Sequence, residues 1–137
     1  MFLLDTNIIS SVARDPGGPV GRKLGEIDPD LVVTSSVVAC EVRYGLAKTP
    51  ASKNAARSVE FLETMTILPI EAAVAVEYAK ARAWLAGYGR AIGGIDLLIA
   101  AHALALGATV VTDDGAFGFV PGLKVENWLR DVSADRE

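Results

Sequence analysis

Short apolar runs recur along this chain, each followed by a polar or turn-forming residue and then by a stretch of helical composition. Phe2-Leu3-Leu4 ends on Asp5-Thr6-Asn7, Leu31-Val32-Val33-Thr34 ends on Ser35-Ser36, Thr66 to Ile70 precedes Glu71, and Ala108 to Thr112 ends on Asp113-Asp114-Gly115. A strand that is wet on one side alternates apolar and polar residues; these runs do not, which is the pattern of a parallel sheet covered on both faces. The expected fold is α/β, with a central, mostly parallel β-sheet flanked by helices on both faces.

The intervening segments fit that plan. Ile8 to Arg14 is expected to form a short helix that stops at Asp15-Pro16-Gly17-Gly18-Pro19, and Val20 to Ile27 a second. Ser35 or Ser36 can cap a helix that carries Glu41 and ends before Pro50. Further helices are expected over about 52–65, over 71–86, and from Leu97 to Leu106, the last almost unbroken in apolar residues and closed by Gly107. Pro69 demotes the strand at 66–70 towards an edge, and a last short strand is expected around Lys124-Val125. With no internal repeat and no long linker, a single domain is expected over residues 1–132, followed by a polar tail at 133–137.

No apolar stretch reaches the roughly 18 residues of a membrane span, and the apolar start runs straight into Asp5. A soluble protein without a signal peptide is expected. The single cysteine, Cys40, has no partner for an internal disulfide, and no Cys/His ladder offers a zinc site, which suits a reducing cytoplasm. The formal charge of −4, from 17 acidic and 13 basic residues, argues against a basic nucleic-acid grip. Yet the excess equals four acids that stand in unexpected places.

Those four are Asp5 after Leu3-Leu4, Glu41 amid Val37 to Val42, Asp96 before Leu97-Leu98-Ile99, and Asp114 after Val110-Val111-Thr112. Each has an ordinary alternative: a helix cap for Asp5 and Asp96, a turn for Asp114, an outer helix face for Glu41. Together they read differently, because two strand ends and two helices of a parallel fold can deliver acids to one end of the sheet. Clustered carboxylates repel one another. A hard divalent cation relieves that repulsion, and oxygen-only ligation suits Mg²⁺, with Mn²⁺ as the substitute. Such an ion can orient and ionise a water and neutralise charge on a phosphodiester. The chain has no G-x-S-x-G elbow, no P-loop and no G-x-G-x-x-G.

Four blocks carry a family resemblance. Met1-Phe2-Leu3-Leu4-Asp5-Thr6-Asn7-Ile8-Ile9, Cys40-Glu41-Val42-Arg43-Tyr44-Gly45, Ile95-Asp96-Leu97-Leu98-Ile99-Ala100-Ala101-His102-Ala103-Leu104 and Val110-Val111-Thr112-Asp113-Asp114-Gly115-Ala116-Phe117 occur in this order. They resemble the opening strand, the "E-x-x-x-G" helix, the third-acid helix and the final strand of the PIN-domain ribonuclease toxins of type II toxin–antitoxin systems, the VapC-like and FitB-like group. The resemblance implies a PIN-like nuclease domain and a magnesium-dependent endoribonuclease, with Asp5, Glu41, Asp96 and Asp114 as catalytic and metal-holding residues. It also implies an RNA substrate, a cognate antitoxin protein that blocks the site, a homodimer, and no membrane. The family spacing selects Asp114 over its neighbour Asp113.

Thr6, Asn7, Thr112 and Asp113 are candidates for support of the carboxylates, against a purely local turn role. Arg14, Arg43 and Arg90 are candidate phosphate contacts near the acid-bearing segments. His102, six residues beyond Asp96 and so rotated about 120° from it on an ideal helix, is expected to pack in the interior or at an interface. Val74, Val76, Tyr78, Trp84, Leu85 and Tyr88 give their helix more apolar surface than one stripe requires. Two other readings compete: a catalytically silent PIN-like module that binds RNA or protein, and an aspartyl-phosphate phosphatase, which the asparagine at 7 disfavours.

Overall fold

A computed structural model describes residues 1–130; the expected domain end at 132 and the tail at 133–137 lie outside the described residues. Its centre is a five-stranded sheet in the order β3-β2-β1-β4-β5. The strands are β1 (Phe2–Leu4), β2 (Val32–Ser35), β3 (Thr66–Leu68), β4 (Thr109–Val111) and β5 (Lys124–Glu126). All four pairings are parallel, so the sheet is wholly rather than mostly parallel. β3, which runs into Pro69, is an edge strand.

Leu3 and Leu4 point to opposite faces of β1 and are both fully buried, as are Val110 and Val111 on β4. Both faces of the sheet are therefore covered. The covering helices are α1 (Thr6–Arg14), α2 (Pro19–Gly25), α3 (Ser36–Lys48), α4 (Lys53–Glu63), α5 (Ala72–Gly87) and α6 (Gly94–Leu106). α1, α3 and α4 pack on one another, and α5 packs on α6. Burial of each large aliphatic side chain contributes about 1.5–3 kcal/mol. In α6, Ile99, Ala100, Ala101 and Ala103 are fully buried, and the three alanines let neighbouring backbone approach closely.

Helix starts differ from the sequence reading by small shifts with local causes. Asp5 caps α1, which therefore begins at Thr6 rather than Ile8. Pro29–Leu31 forms a 3₁₀ turn capped by Asp28, so β2 begins at Val32. Ser35, not Ser36, caps α3 by accepting from Val37 N at 3.1 Å. Gly107 ends α6 in the left-handed conformation at φ +67°, the position where glycine avoids a Cβ clash.

The connections decide where a ligand can sit. The chain leaves β1 towards β2 on one side and leaves β4 towards β5 on the other, although β1 and β4 are neighbours. Their diverging carboxyl ends open a crevice at this switch point, the usual binding place in open α/β sheets.

Candidate active site

Asp5 is the first residue past β1 and sits in that crevice. Its backbone N donates to Val111 O at 2.9 Å, which ties it to the end of β4. Its side chain is 4% exposed, with Oδ1 accepting from Thr6 N at 2.8 Å and Oδ2 accepting from the Thr112 hydroxyl at 2.8 Å. Burial pushes the Asp5 carboxyl above its ordinary range; those two hydrogen bonds oppose the shift, and the charges of Glu41 and Asp114 add to it.

The other three acids come from separate elements. Glu41 lies in α3 with its side chain turned towards α1, where Oε1 accepts from the Thr6 hydroxyl at 2.9 Å. It is half-buried and not on the outer face, whereas its neighbour Cys40 is exposed. Asp96 lies in the first turn of α6; the cap itself is Gly93, which has no side chain to serve that role. Burial raises the Asp96 carboxyl, and the charges of Asp5 and Asp114 and a hydrogen-bond contact with the Asp114 carboxyl raise it further. Asp114 caps the 3₁₀ segment Gly115–Phe119, accepting from Ala116 N at 2.9 Å.

Of the adjacent aspartates, Asp114 joins the cluster and Asp113 does not. Asp113 is exposed, and its Oδ1 accepts from Asn127 Nδ2 at 3.0 Å. The support residues knit the two strand ends together. The Thr112 hydroxyl donates to Asp5 and accepts from Asp114 N at 3.0 Å and from Asn7 Nδ2 at 3.3 Å. Asn7 Oδ1 accepts from Asp113 N at 3.1 Å, while the Asn7 contact to Asp5 at 3.5 Å is at the outer limit of a hydrogen bond. Thr6 and Thr112 therefore orient acids directly, and Asn7 chiefly orients Thr112.

Among the described residues, no three Asp, Glu, His or Cys side chains close tightly around one point. Separate hydrogen bonds hold Asp5, Glu41 and Asp114 in a looser spacing. It is compatible with a magnesium site, because Mg²⁺ keeps several waters and needs only one or two carboxylates. The donor set fits a hard cation: oxygen ligands only, two carboxyls raised by burial and by neighbouring acids, and no Lys, Arg or His in an ion pair with any of the four among the described residues.

The three arginines separate. Arg14 ends α1, roughly 12 Å along the helix from Thr6, in a cleft with Arg57 and Phe61. Arg43 pairs with Glu63 at 3.7 Å. Neither is brought to the acids, because each projects from a helix end or face directed elsewhere. Arg90 precedes α6, and its guanidinium lies 4.1 Å from the centroid of the Phe119 ring in the segment that Asp114 caps. Arg82, which sequence spacing did not single out, shares a cleft of about 270 Å³ with Arg90, Gly94 and Leu97. His102 is 1% exposed in the interior, with Nδ1 2.8 Å from Ser35 Oγ, and burial lowers its pKa against the opposing charge of Glu71. On α5, Val74 and Leu85 are buried while Val76, Trp84 and, just past the helix end, Tyr88 are exposed, the last two rings stacked with centroids 4.3 Å apart. No helix among the described residues is long and apolar enough to cross a membrane.

Known proteins share this fold. The sequence model of the PIN domain matches residues 2–123. The chain is similar to Ribonuclease VapC2 of Rickettsia felis, 32% identical over 93% of this chain and 98% of the relative. It is also similar to the tRNA(fMet)-specific endonuclease VapC of Shigella flexneri, 33% identical over 93% and 97%. In three dimensions it resembles VapBC2 from Rickettsia felis bound to a DNA fragment from their promoter, with a TM-score of 0.84, 31% identity and coverage of 93% and 98%. A second likeness is to VapBC-5 from Mycobacterium tuberculosis, a member of the VapBC family of toxin-antitoxin systems, with a TM-score of 0.66, 28% identity and coverage of 91% and 94%.

Proposed function

The chain belongs to the PIN-domain family, and from that premise we propose that it is a magnesium-dependent endoribonuclease acting as the toxin of a toxin–antitoxin pair. The observation that carries this reading is uncompensated negative charge at the switch point: Asp5 and Asp96 hold raised carboxyls, Glu41 and Asp114 add charge, and no cationic side chain pairs with any of them among the described residues. A fold does not by itself retain such a cluster, because repulsion there costs stability.

Asp5, Glu41, Asp96 and Asp114 would hold Mg²⁺, with Mn²⁺ as a substitute. When bound, the ion supplies neutralisation of charge on the phosphodiester and ionisation of water near neutral pH. The protein's own part is positioning. Thr6 N and Thr112 fix the two Asp5 oxygens, and Oδ1, with one hydrogen bond, keeps a second lone pair for the ion. Thr6 fixes Glu41 in the same way, and Thr112 also holds the loop that presents Asp114. Arg90, braced on Phe119 in the segment that Asp114 caps, would meet a phosphate of the RNA backbone.

The complexes formed by its relatives support a cognate antitoxin as partner; in this reading the antitoxin blocks the site by laying a basic side chain against the carboxylates. The exposed Val76, Trp84 and Tyr88 face of α5 supports a homodimer. The test is to incubate the purified protein with total RNA in magnesium or in chelator, beside Asp5→Asn and Asp96→Asn. Cutting is expected only with the parent and the metal. Cutting in chelator, or variants as active as the parent, would sink the mechanism; activity confined to single-stranded DNA would replace the substrate.

A further inference from the structure

One cleft of this acidic chain is lined by cations and by no acid. Its walls, around a space of about 270 Å³, bring Arg82 from α5 together with Arg90 from the segment between α5 and α6, in a chain whose formal charge is −4. Neither arginine takes part in an ion pair among the described residues; Glu77, on the same helix as Arg82, pairs with Lys80 at 3.5 Å. Aromatic side chains hold the two guanidinium groups instead. Arg82 Nη1 donates to Tyr78 Oη at 3.2 Å, and the Arg90 guanidinium lies 4.1 Å from the centroid of the Phe119 ring. Such contacts steady a guanidinium without neutralising it. Tyr78 Oη accepts from Arg82 and keeps its own proton to donate. The polar side chains of the cleft therefore offer donors and positive charge, which suit an anion.

The cleft adjoins the acids. Gly94 and Leu97, in the first turn of α6, line it, and Asp96, between them in sequence, is in contact with the Asp114 carboxyl. A Cβ placed on Gly93 would meet Asp96 Oδ2 at 3.7 Å, so that carboxyl stands beside the residue that precedes Gly94. Cleft and acid crevice thus share one helical turn, with a rise of about 5.4 Å. The volume falls short of the roughly 300–1,000 Å³ of pockets that enclose a small molecule, so the cleft suits part of a longer strand better than a free nucleotide.

We propose that Arg82 and Arg90 together grip one phosphate of the RNA strand that is not the one cut but adjoins it, with Tyr78 Oη as a further donor. Arg82 is thereby a substrate-binding residue, and the grip sets the position of the strand along the acids. The proposal rests on the endoribonuclease reading. Arginine forks match phosphate oxygens in pairs, whereas a lysine offers a point charge. Because this phosphate does not react, its binding is the same in the ground state and the transition state, and its loss appears in KM rather than kcat.

The experiment takes a single-stranded RNA oligonucleotide that the parent cuts at one bond and replaces each neighbouring phosphate in turn by an uncharged methylphosphonate. With Mg²⁺, one replacement beside the cut is expected to raise the parent's KM about ten-fold with kcat little changed. Arg82→Gln should raise KM for the unmodified RNA by a similar factor, lower the steepness of log KM against log salt by about 0.7, and lose its sensitivity to that replacement. Arg90→Gln should behave alike, and Arg82→Lys should restore only part of the affinity. Lys80→Gln removes an equal charge from the same helix outside the cleft and should keep the parent's values; Arg82→Gln should melt with the parent. A replacement that weakens Arg82→Gln as much as the parent, or variants with the parent's KM and salt dependence, would overturn the proposal and leave the nuclease reading intact. Binding of polyglutamate that requires Arg82, beside an unchanged KM for RNA, would overturn it in favour of an acidic protein segment. A parent that cuts no RNA would remove the nuclease reading, and this proposal with it.

Discussion

Asp5 at the end of β1 and His102 in α6 are both buried polar side chains near carboxyl ends of strands, yet their surroundings differ in kind. His102 meets one partner, Ser35, and its burial favours the neutral ring, so nothing is left over. Asp5 has three hydrogen bonds at or within the limit and still carries a raised carboxyl, through burial first and then through the charges of Glu41 and Asp114 in the same crevice. Burial alone therefore does not mark a site. Charge that the surrounding residues fail to neutralise does.

The sharpest way to break this contrast is to remove one member of each region. Asp5→Asn should lower RNA cleavage at least about a hundred-fold while the chelated protein melts no lower than the parent. A cleavage assay paired with thermal melting checks both, and an active Asp5→Asn would place the chemistry elsewhere. His102→Ala should do the reverse, costing about 2–4 kcal/mol of stability through a cavity with cleavage per folded molecule little changed; denaturant melts read the first and titrated activity the second.

Magnesium should distinguish the regions next. At roughly a hundred times its dissociation constant it should stabilise the parent by about 2.7 kcal/mol, leave His102→Ala equally responsive, and stabilise Asp5→Asn or Asp96→Asn far less. Equal stabilisation of all four in melting curves would contradict a site built from these acids. Thr6→Val is expected to act more gently, because it frees Glu41 without removing a ligand: a loss of about 1 kcal/mol and cleavage reduced several-fold with a larger magnesium requirement.

The smallest effect is in pH. The folded Asp5 carboxyl is raised above the ordinary aspartate value of 3.8, so protonation favours the folded state: its contribution is full below that value and is lost as pH rises through the folded pKa. In chelator, the parent should accordingly lose stability relative to Asp5→Asn as pH climbs from about 4 towards neutrality, and magnesium should flatten the difference. A difference that runs in the opposite direction would show that Asp5 is stabilised, not strained, by its neighbours.

Much of this was legible in the sequence because its causes are local. Apolar β-branched runs bounded by turn residues identify buried parallel strands, and an acid placed directly after such a run must stand at the strand's carboxyl end; Asp5 and Asp114 were readable on that ground. Asp96 was readable as an acid opening the one almost wholly apolar helix. The arginines were not, since adjacency in sequence says nothing about the direction in which a helical side chain projects: Arg43 is two residues from Glu41 and pairs with Glu63 on another helix.

The sequence by itself thus determined the α/β class, the parallel sheet and the candidate acids, each through a pattern spanning a few neighbouring residues. Tertiary structure alone decided which way those acids face. It turned Glu41 inward to Thr6, divided Asp114 from Asp113, buried His102 against Ser35, and set Arg82 and Arg90 along one cleft. The physical reason is that residue type and spacing govern local conformation, whereas side-chain neighbours and the charge they leave unbalanced depend on how helices dock on the sheet.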